Sequence, residues 1–476
     1  MLRGVSAGVL LLILAFAVQV LVILRPPPDD DDDTHVVNDV TRLNPIAVSE
    51  TIVPTTTAEV IAAVRTHAGP MSIGGARHSM GGQIASPGSL HLDMRRFDRI
   101  VDFSPSARTV TVEAGARWRQ IQERIDPSNL SVAIMQSYAN FTVGGSLSVN
   151  AHGRYVGLGP IILSVESFRI VLADGVEVEA SPNRNSEIFY GAIGGYGGLG
   201  VITDVTLRLA DNVRLKRHDE TMPIGRYGEY FKRQVLASHA ALLHNADIYP
   251  DTCRDVHAIT YSITDEQTTI PDRLMPQSND YRLNRFAYWA ISEWPFGASI
   301  RRYLVDPVMF RGEPVTWRNY EASDDAAELE PASRAGTTYV LQEYFVPMDR
   351  FDAFVPRMCG VLKESRANIV NVSIRQSLAD PGSLLAWARS DVFAFVIYYK
   401  QRTDPDARAR VGVWTRQLVD AALDAGGSYY LPYQLQATEA QFRRAYPRFR
   451  EFADLKRRLD PSNKFRNALW DKYDPR

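Results

Sequence analysis

Three glycine-rich stretches between residues 73 and 200 constrain this chain more than any other feature. They read IGGARHSMGGQ at 73–83, TVGGSLSVNAHG at 142–153 and GAIGGYGGLG at 191–200. Glycine lets a backbone take positive φ and press against a ligand. Successive N–H groups in such loops form concavities that bind anions. A single loop of this kind is ordinarily a plain turn. Three within one region fit a dinucleotide, with two phosphates and a planar ring to hold.

The third stretch also contains a false signal. Gly195, Gly197 and Gly200 satisfy G-x-G-x-x-G. The Rossmann fingerprint needs a strand before that motif and a helix after it. Here SEIFYGA, which reads as helical, precedes it, and the alternating segment Val201 to Leu209 follows. The Rossmann fold is therefore rejected.

Alternation marks the neighbouring strands. TVTVEAG at 109–115 fits a half-buried strand, and 167–181 fits a hairpin turning at Asp174-Gly175. Arg117 to Ile125 fits a helix. Beyond residue 211 the character changes to strand-then-helix units at 338–358, with further strands at NIVNVSIRQS and VFAFVIYYKQ. An amphipathic helix is expected over 408–427, and another over 440–460. Residues 264–334 show no clean period. The fold class expected is α+β, with an antiparallel sheet in the middle of the chain. At 476 residues the chain is long enough for two or three domains. A formal charge of −2 gives no basic surplus for nucleic acid, and two cysteines exclude a cysteine-rich metal site. No metal site is expected. One disulfide is open to Cys253 and Cys359 if the domain is exported.

Val5 to Leu24 is a run of 20 uncharged residues, long enough as a helix to cross a bilayer. Cleavage after Ala15 or Ala17 is the rival reading, but it would leave VQVLVIL exposed. Residues 1–25 are thus read as a transmembrane helix serving as an anchor. Residues 26–40 form an acidic, proline-rich tether with five consecutive aspartates, Asp29 to Asp33. The domain beyond it is expected outside the cytoplasm.

Together, the order of the glycine loops and the ADG turn between strands resemble the FAD domain of the vanillyl-alcohol oxidase / p-cresol methylhydroxylase superfamily. The C-terminal segment YYLPYQLQATEAQFRRAYPRFREFADLKRRLDPSNKFRN resembles the closing segment of its sugar-oxidising branch. That branch holds alditol oxidases, aldonolactone oxidases and decaprenylphosphoryl-ribose oxidase. The resemblance covers residues 40–210 and 428–470, and between them it extends to the fold only. It implies an FAD-binding domain at 41–212, a substrate domain at 213–427, and a segment at 428–476 that returns to complete the FAD domain. By motif match, Ile73, Gly74, Gly75, Ala76, Arg77, His78, Ser79, Met80, Gly81, Gly82 and Gln83 would wrap the pyrophosphate and reach the ring. Ser137, Thr142, Val143, Gly144, Gly145, Val149, Asn150, Ala151 and His152 would line its other side. Val201 and Ile202 would touch the adenine end, and Tyr430 would come from the returning segment. His78 falls where some relatives join histidine covalently to the flavin. No cysteine lies near Ser137 for a second link.

The resemblance also implies flavin-dependent oxidation of a CH–OH group in a sugar, lactone or lipid-linked glycoside, with oxygen or a quinone as electron acceptor. Hydride transfer to flavin leaves a hydroxyl proton that needs an acceptor. Arg375, in VSIR, falls where the branch places a basic residue beside the substrate. Tyr433 stands where several relatives carry a lysine. A phenol ionises near pH 10 and is a weak base unless a cation helps it. His152 is the other candidate acceptor, with a purely structural role as its alternative. Ser373 replaces an acid of the alditol oxidases. These two departures leave room for a flavin-binding module without turnover.

Overall fold

The computed structural model describes residues 20, 21, 24 and 35–474, less 251, 279, 280 and 295. The apolar run at 5–24 and the acidic stretch after it lie almost wholly outside the described residues. Among the described residues no helix is long and apolar enough to cross a membrane.

The chain enters through a small parallel sheet ordered Glu50–Ile52, Leu90–Asp93, Met71–Gly74. Its crossover helix, Thr57–Thr66, starts at a capping box between Thr56 and Glu59 and buries Val60 and Val64. Beside it lies a six-stranded antiparallel sheet with Val201–Asp211 near its centre. Strand Thr109–Glu113 buries Val110 and Val112, as its alternation predicts. The hairpin of Val165–Val171 and Glu177–Ala180 turns through Gly175 at φ +76°. The expected helix at 117–125 forms as Trp118–Ile125.

The largest sheet has eight antiparallel strands. Its order is Val315–Trp317, Arg214–Pro223, Asp255–Ile263, Ala241–Ile248, Asn368–Ser377, Val392–Arg402, Thr337–Pro347, Ser428–Tyr429. One face packs on helices Phe351–Ser365 and Pro405–Asp424, through Phe395 on Phe354 at 4.8 Å and Tyr399 on Trp414 at 5.0 Å. The other face carries polar groups. Register sets Asp247, Ser373, Val396 and Glu343 in one row across four strands, and Arg375, Ala394 and Phe345 in the adjacent row. Directly opposed residues share a face, so Arg375 and Glu343 project to the same side.

Two local results depart from the sequence reading. The helix expected over 440–460 is two helices, Glu439–Ala445 and Phe449–Leu459. Pro447 lies between them, and proline offers no N–H to continue a helix. The silent region around 264–334 holds a helix, Arg282–Glu293, and a helical stretch that ends at Met309. Cys253 and Cys359 are joined by a disulfide, with Cα atoms 6.3 Å apart.

Candidate active site

The first glycine loop is clamped to the returning C-terminal segment. Met80 donates its N–H to the Pro432 carbonyl at 2.6 Å. The Gln83 side-chain amide donates to the carbonyls of Leu431 and Tyr433 at 2.6 and 2.8 Å. Gly81 is required there: a Cβ would stand 2.3 Å from the Tyr433 carbonyl oxygen. Gly82, at φ +77°, turns its N–H onto the Asp39 carboxylate at 3.0 Å. Further along the chain, Phe465 bridges to Met71, at the base of the same loop.

His78 rises from this loop against Phe141, with ring centroids 4.2 Å apart. The ring is half-buried. Burial, with Arg117 and Arg334 near, pushes its pKa down to about 4 against the opposing pull of Asp325. The imidazole is therefore neutral at pH 7, with a lone pair to use.

The second loop ends at His152, inside a box made by Trp387, Phe345 and Tyr430. His152 Nε2 meets Glu343 Oε1 at 2.7 Å, and Nδ1 meets the Gly153 carbonyl at 3.1 Å. Both ring nitrogens thus face acceptors. Neither nitrogen is therefore free to take a proton from a substrate. Tyr433 donates to the other Glu343 oxygen at 3.3 Å. Burial first, and the Glu343 charge second, push that phenol well above its usual pKa. Arg375 opposes this without reversing it. Tyr433 is a hydrogen-bond donor here, not a base.

Arg375 lies within electrostatic reach of Tyr433 and Asp324. Its Nε is buried without a hydrogen-bond partner. Asp324 is strapped to the segment facing the second loop: its N–H donates to Ser137 at 3.2 Å, and its carbonyl accepts from Ala139 at 2.8 Å. Burial raises the Asp324 carboxyl to about 7; Arg154 pulls it down, and Glu328 pushes it up. The residues fit a bound flavin by several signs. Arg375 holds an orphaned polar atom, His78 a neutral ring, and Gly145 is exposed inside a helix, Val143–Ser148, whose neighbours are mostly buried.

Two family comparisons bear on this arrangement. The FAD binding domain family matches residues 49–181. The D-arabinono-1,4-lactone oxidase family matches residues 205–473, more than half of the chain. The chain belongs to the D-arabinono-1,4-lactone oxidase family. It is an FAD-dependent oxidoreductase. Among its relatives is an oxidoreductase of the fasciation locus of Rhodococcoides fascians, 24% identical over 86% of this chain and 90% of that protein. The L-gulonolactone oxidase of Bos taurus is 20% identical over 87% and 92%. The alditol oxidase of a Streptomyces species is 32% identical, over 35% of this chain and 40% of that protein.

Within this lactone-oxidase architecture the site residues expected from sequence divide into two groups. Ile73, Gly75 to Met80, Ser137 and Val149 keep partial exposure, while Tyr430, buried, donates its hydroxyl to the Val149 carbonyl at 2.9 Å. Others are held elsewhere. The Asn150 amide is bound to Asp380 at 2.6 Å and to Ser383 at 3.3 Å, so it braces a distant loop. Val143 and Gly144 donate their N–H groups to Ala116 and Ala114. Ala151 and Val201 are buried, with the Val201 side chain in a core beside Met71 and Phe465, and Ile202 pairs with Ile170 in the sheet. The third loop binds protein: Gly194 and Tyr196 donate to Leu147 and Ser148, and Lys456 donates to the Gly198 carbonyl at 2.8 Å. It braces the second loop from behind. Sequence reasoning missed Glu343 and Asp324. The signal for Glu343 was the single charged residue in the strand TTYVLQEYFVP.

Proposed function

We propose that this chain is a membrane-anchored FAD oxidoreductase that oxidises a CH–OH group of a sugar, lactone or lipid-linked glycoside. The observation that carries the reading is one polar face of the large sheet, where Glu343 bonds His152 of the second glycine loop and Arg375 stands in the adjacent row. The names of the relatives, alditol oxidase and L-gulonolactone oxidase, favour the substrate class. Residues 41–212 with 428–476 would hold the cofactor, and 213–427 the substrate.

FAD, when bound, supplies the hydride acceptor. Ile73 to Gln83 would hold it on one side, and Ser137 with Thr142 to Gly145 and Val149 to His152 on the other, with Tyr430 closing the return. His78, with its neutral imidazole, would hold the flavin covalently: the new C–N bond would replace the imidazole N–H and one C–H of a flavin methyl group, with the two electrons passing to the oxygen or quinone acceptor. Arg375, unpaired on the substrate side, orients the substrate and stabilises negative charge as it develops. Tyr433 donates a hydrogen bond to the substrate or to Glu343. The substrate proton goes to Asp324, whose carboxyl takes no hydrogen bond from a described residue and is poised near neutrality. Carboxylates at Asp324 and Glu343 speak against a flavin binder without turnover.

The anchor would be residues 5–24, with the domain outside the cytoplasm. The disulfide between Cys253 and Cys359 favours an oxidising compartment. The test is turnover with a panel of alditols, aldonolactones and lipid-linked glycosides, with oxygen or a quinone as acceptor. Oxidation of one class supports the proposal. No flavin reduction by any of them refutes it.

A further inference from the structure

The helical stretch from Gly297 to Met309 is built inside out. It comprises Gly297–Ile300, a π-helical turn Arg301–Val305, and Asp306–Met309. Its charged residues face the protein. Arg301 donates to the Val370 carbonyl, Asn371 and Asp247 at 3.0–3.2 Å. Arg302 pairs with Asp255. Asp306 is buried and accepts from the Tyr249 hydroxyl at 3.1 Å. Most of its apolar residues face outward, with Ile300 and Val305 half-buried. Phe296 is 73% exposed, Tyr303 66%, Leu304 65%, Val308 75% and Met309 58%.

A surface helix of a protein that meets only water has the opposite arrangement. A contiguous apolar surface of this kind marks a contact with another apolar phase. From residue 294 to 312 the one acid is Asp306, which is already paired, and the exposed Glu293 and Glu313 that flank the stretch are paired with Lys400 and with Lys216 and His218.

The chain enters the fold at the same end of the large sheet. Thr338 donates its hydroxyl to the Thr41 carbonyl at 2.9 Å. The next residue, Tyr339, shares a hydrogen bond of 2.9 Å with Ser292, on the helix that leads into the inside-out stretch. Ten residues separate Leu24 from His35. Fully extended they reach at most about 35 Å. A bilayer that held the anchor read at residues 5–24 would therefore be within about that reach of this end of the sheet.

We propose that residues 296–309 rest on a lipid bilayer. Leu304, Val308 and Met309 enter the acyl boundary, and Tyr303 and Phe296 sit at headgroup depth. The proposal rests on the reading of residues 5–24 as an anchor, which brings a bilayer within reach. A second copy of the chain is the alternative cover.

The test uses the full chain with Leu304→Cys, reconstituted in vesicles of phosphatidylcholine and phosphatidylglycerol. Both native cysteines are in the disulfide, so a thiol-reactive dye marks only the new site. Val413→Cys, 53% exposed on helix Pro405–Asp424, is the control. Nitroxide-bearing lipids should quench the dye at 304 roughly fivefold more than at 413, because only residue 304 enters the acyl boundary. Equal quenching with the protein still floating on the vesicles overturns the contact and leaves the anchor standing. Protein that neither floats nor shows quenching overturns both. Shielding of residue 304 in a lipid-free dimer, without quenching by lipid, assigns the face to a second copy and also refutes the proposal.

Discussion

Gly81→Ala should open the clamp between the first glycine loop and the returning segment. The new methyl would lie 2.3 Å from the Tyr433 carbonyl oxygen and 2.7 Å from the Gln83 amide nitrogen. Real Cβ atoms essentially never approach other atoms that closely, so the backbone must move. Movement breaks the two bonds from Gln83 and the one from Met80 to Pro432. Each contributes about 1 kcal/mol, and the overpacking adds roughly 1–3 kcal/mol. The sum is about 4–6 kcal/mol, concentrated where FAD is held. The control is Gly360→Ala, in helix Phe351–Ser365, where a Cβ meets nothing within 4 Å. Alanine is the better helix former there, and the control should hold or raise Tm. The assay is thermal melting with FAD retention after gel filtration. Gly81→Ala should melt several degrees lower and lose cofactor unless His78 holds it covalently. Wild-type melting together with a wild-type visible spectrum would refute the clamp.

Four further outcomes are expected. Arg375→Ala should lower the rate of flavin reduction on the order of 100-fold while FAD content stays at wild type; loss of FAD with no separate kinetic defect would make Arg375 structural. Asp324→Asn should abolish the rise of kcat/KM through about pH 7 that an ionising acceptor imposes. Because the folded pKa is raised, Asp324 favours the fold at low pH and loses that contribution as pH climbs toward 7, so the variant should melt higher than wild type at pH 8; an unchanged profile and Tm would remove Asp324 from the mechanism. Acid precipitation should leave the pellet yellow, and His78→Ala should release FAD to the supernatant; a colourless wild-type pellet excludes the covalent bond. Cys359→Ser should cost about 4 kcal/mol, since the bridge spans 106 residues; an unchanged Tm would contradict this.

Where residues carry a local rule, the sequence was legible. Alternation at 109–113, 165–171 and 201–211 and the turn at Gly175 follow from period two and positive φ. Rejection of the Rossmann motif holds, because helix Ser186–Ala192 precedes it and a strand follows. What stayed hidden was set by tertiary contacts. Residues 297–309 gave no clean helical period because a π-helical turn, Arg301–Val305, interrupts two four-residue helices. The third glycine loop looked like a ligand loop, yet its N–H groups are taken by Leu147 and Ser148. Asn150 matched a motif, but its side chain found Asp380, 230 residues away. The proton acceptor proposed above was beyond reach for the same reason. His152 loses both nitrogens to partners, one of them Glu343 on another strand, and Asp324 comes from a segment with no pattern of its own.

The central claim is flavin-dependent oxidation at the face that carries Arg375. It is tested most directly by following the visible spectrum of the purified protein under anaerobic conditions. The account predicts one FAD per chain, bleached by an alditol, aldonolactone or lipid-linked glycoside, with Arg375→Ala equally yellow but slow to bleach. A protein that takes up no flavin when flavin is supplied in excess, or an Arg375→Ala variant that bleaches at the wild-type rate, would contradict it.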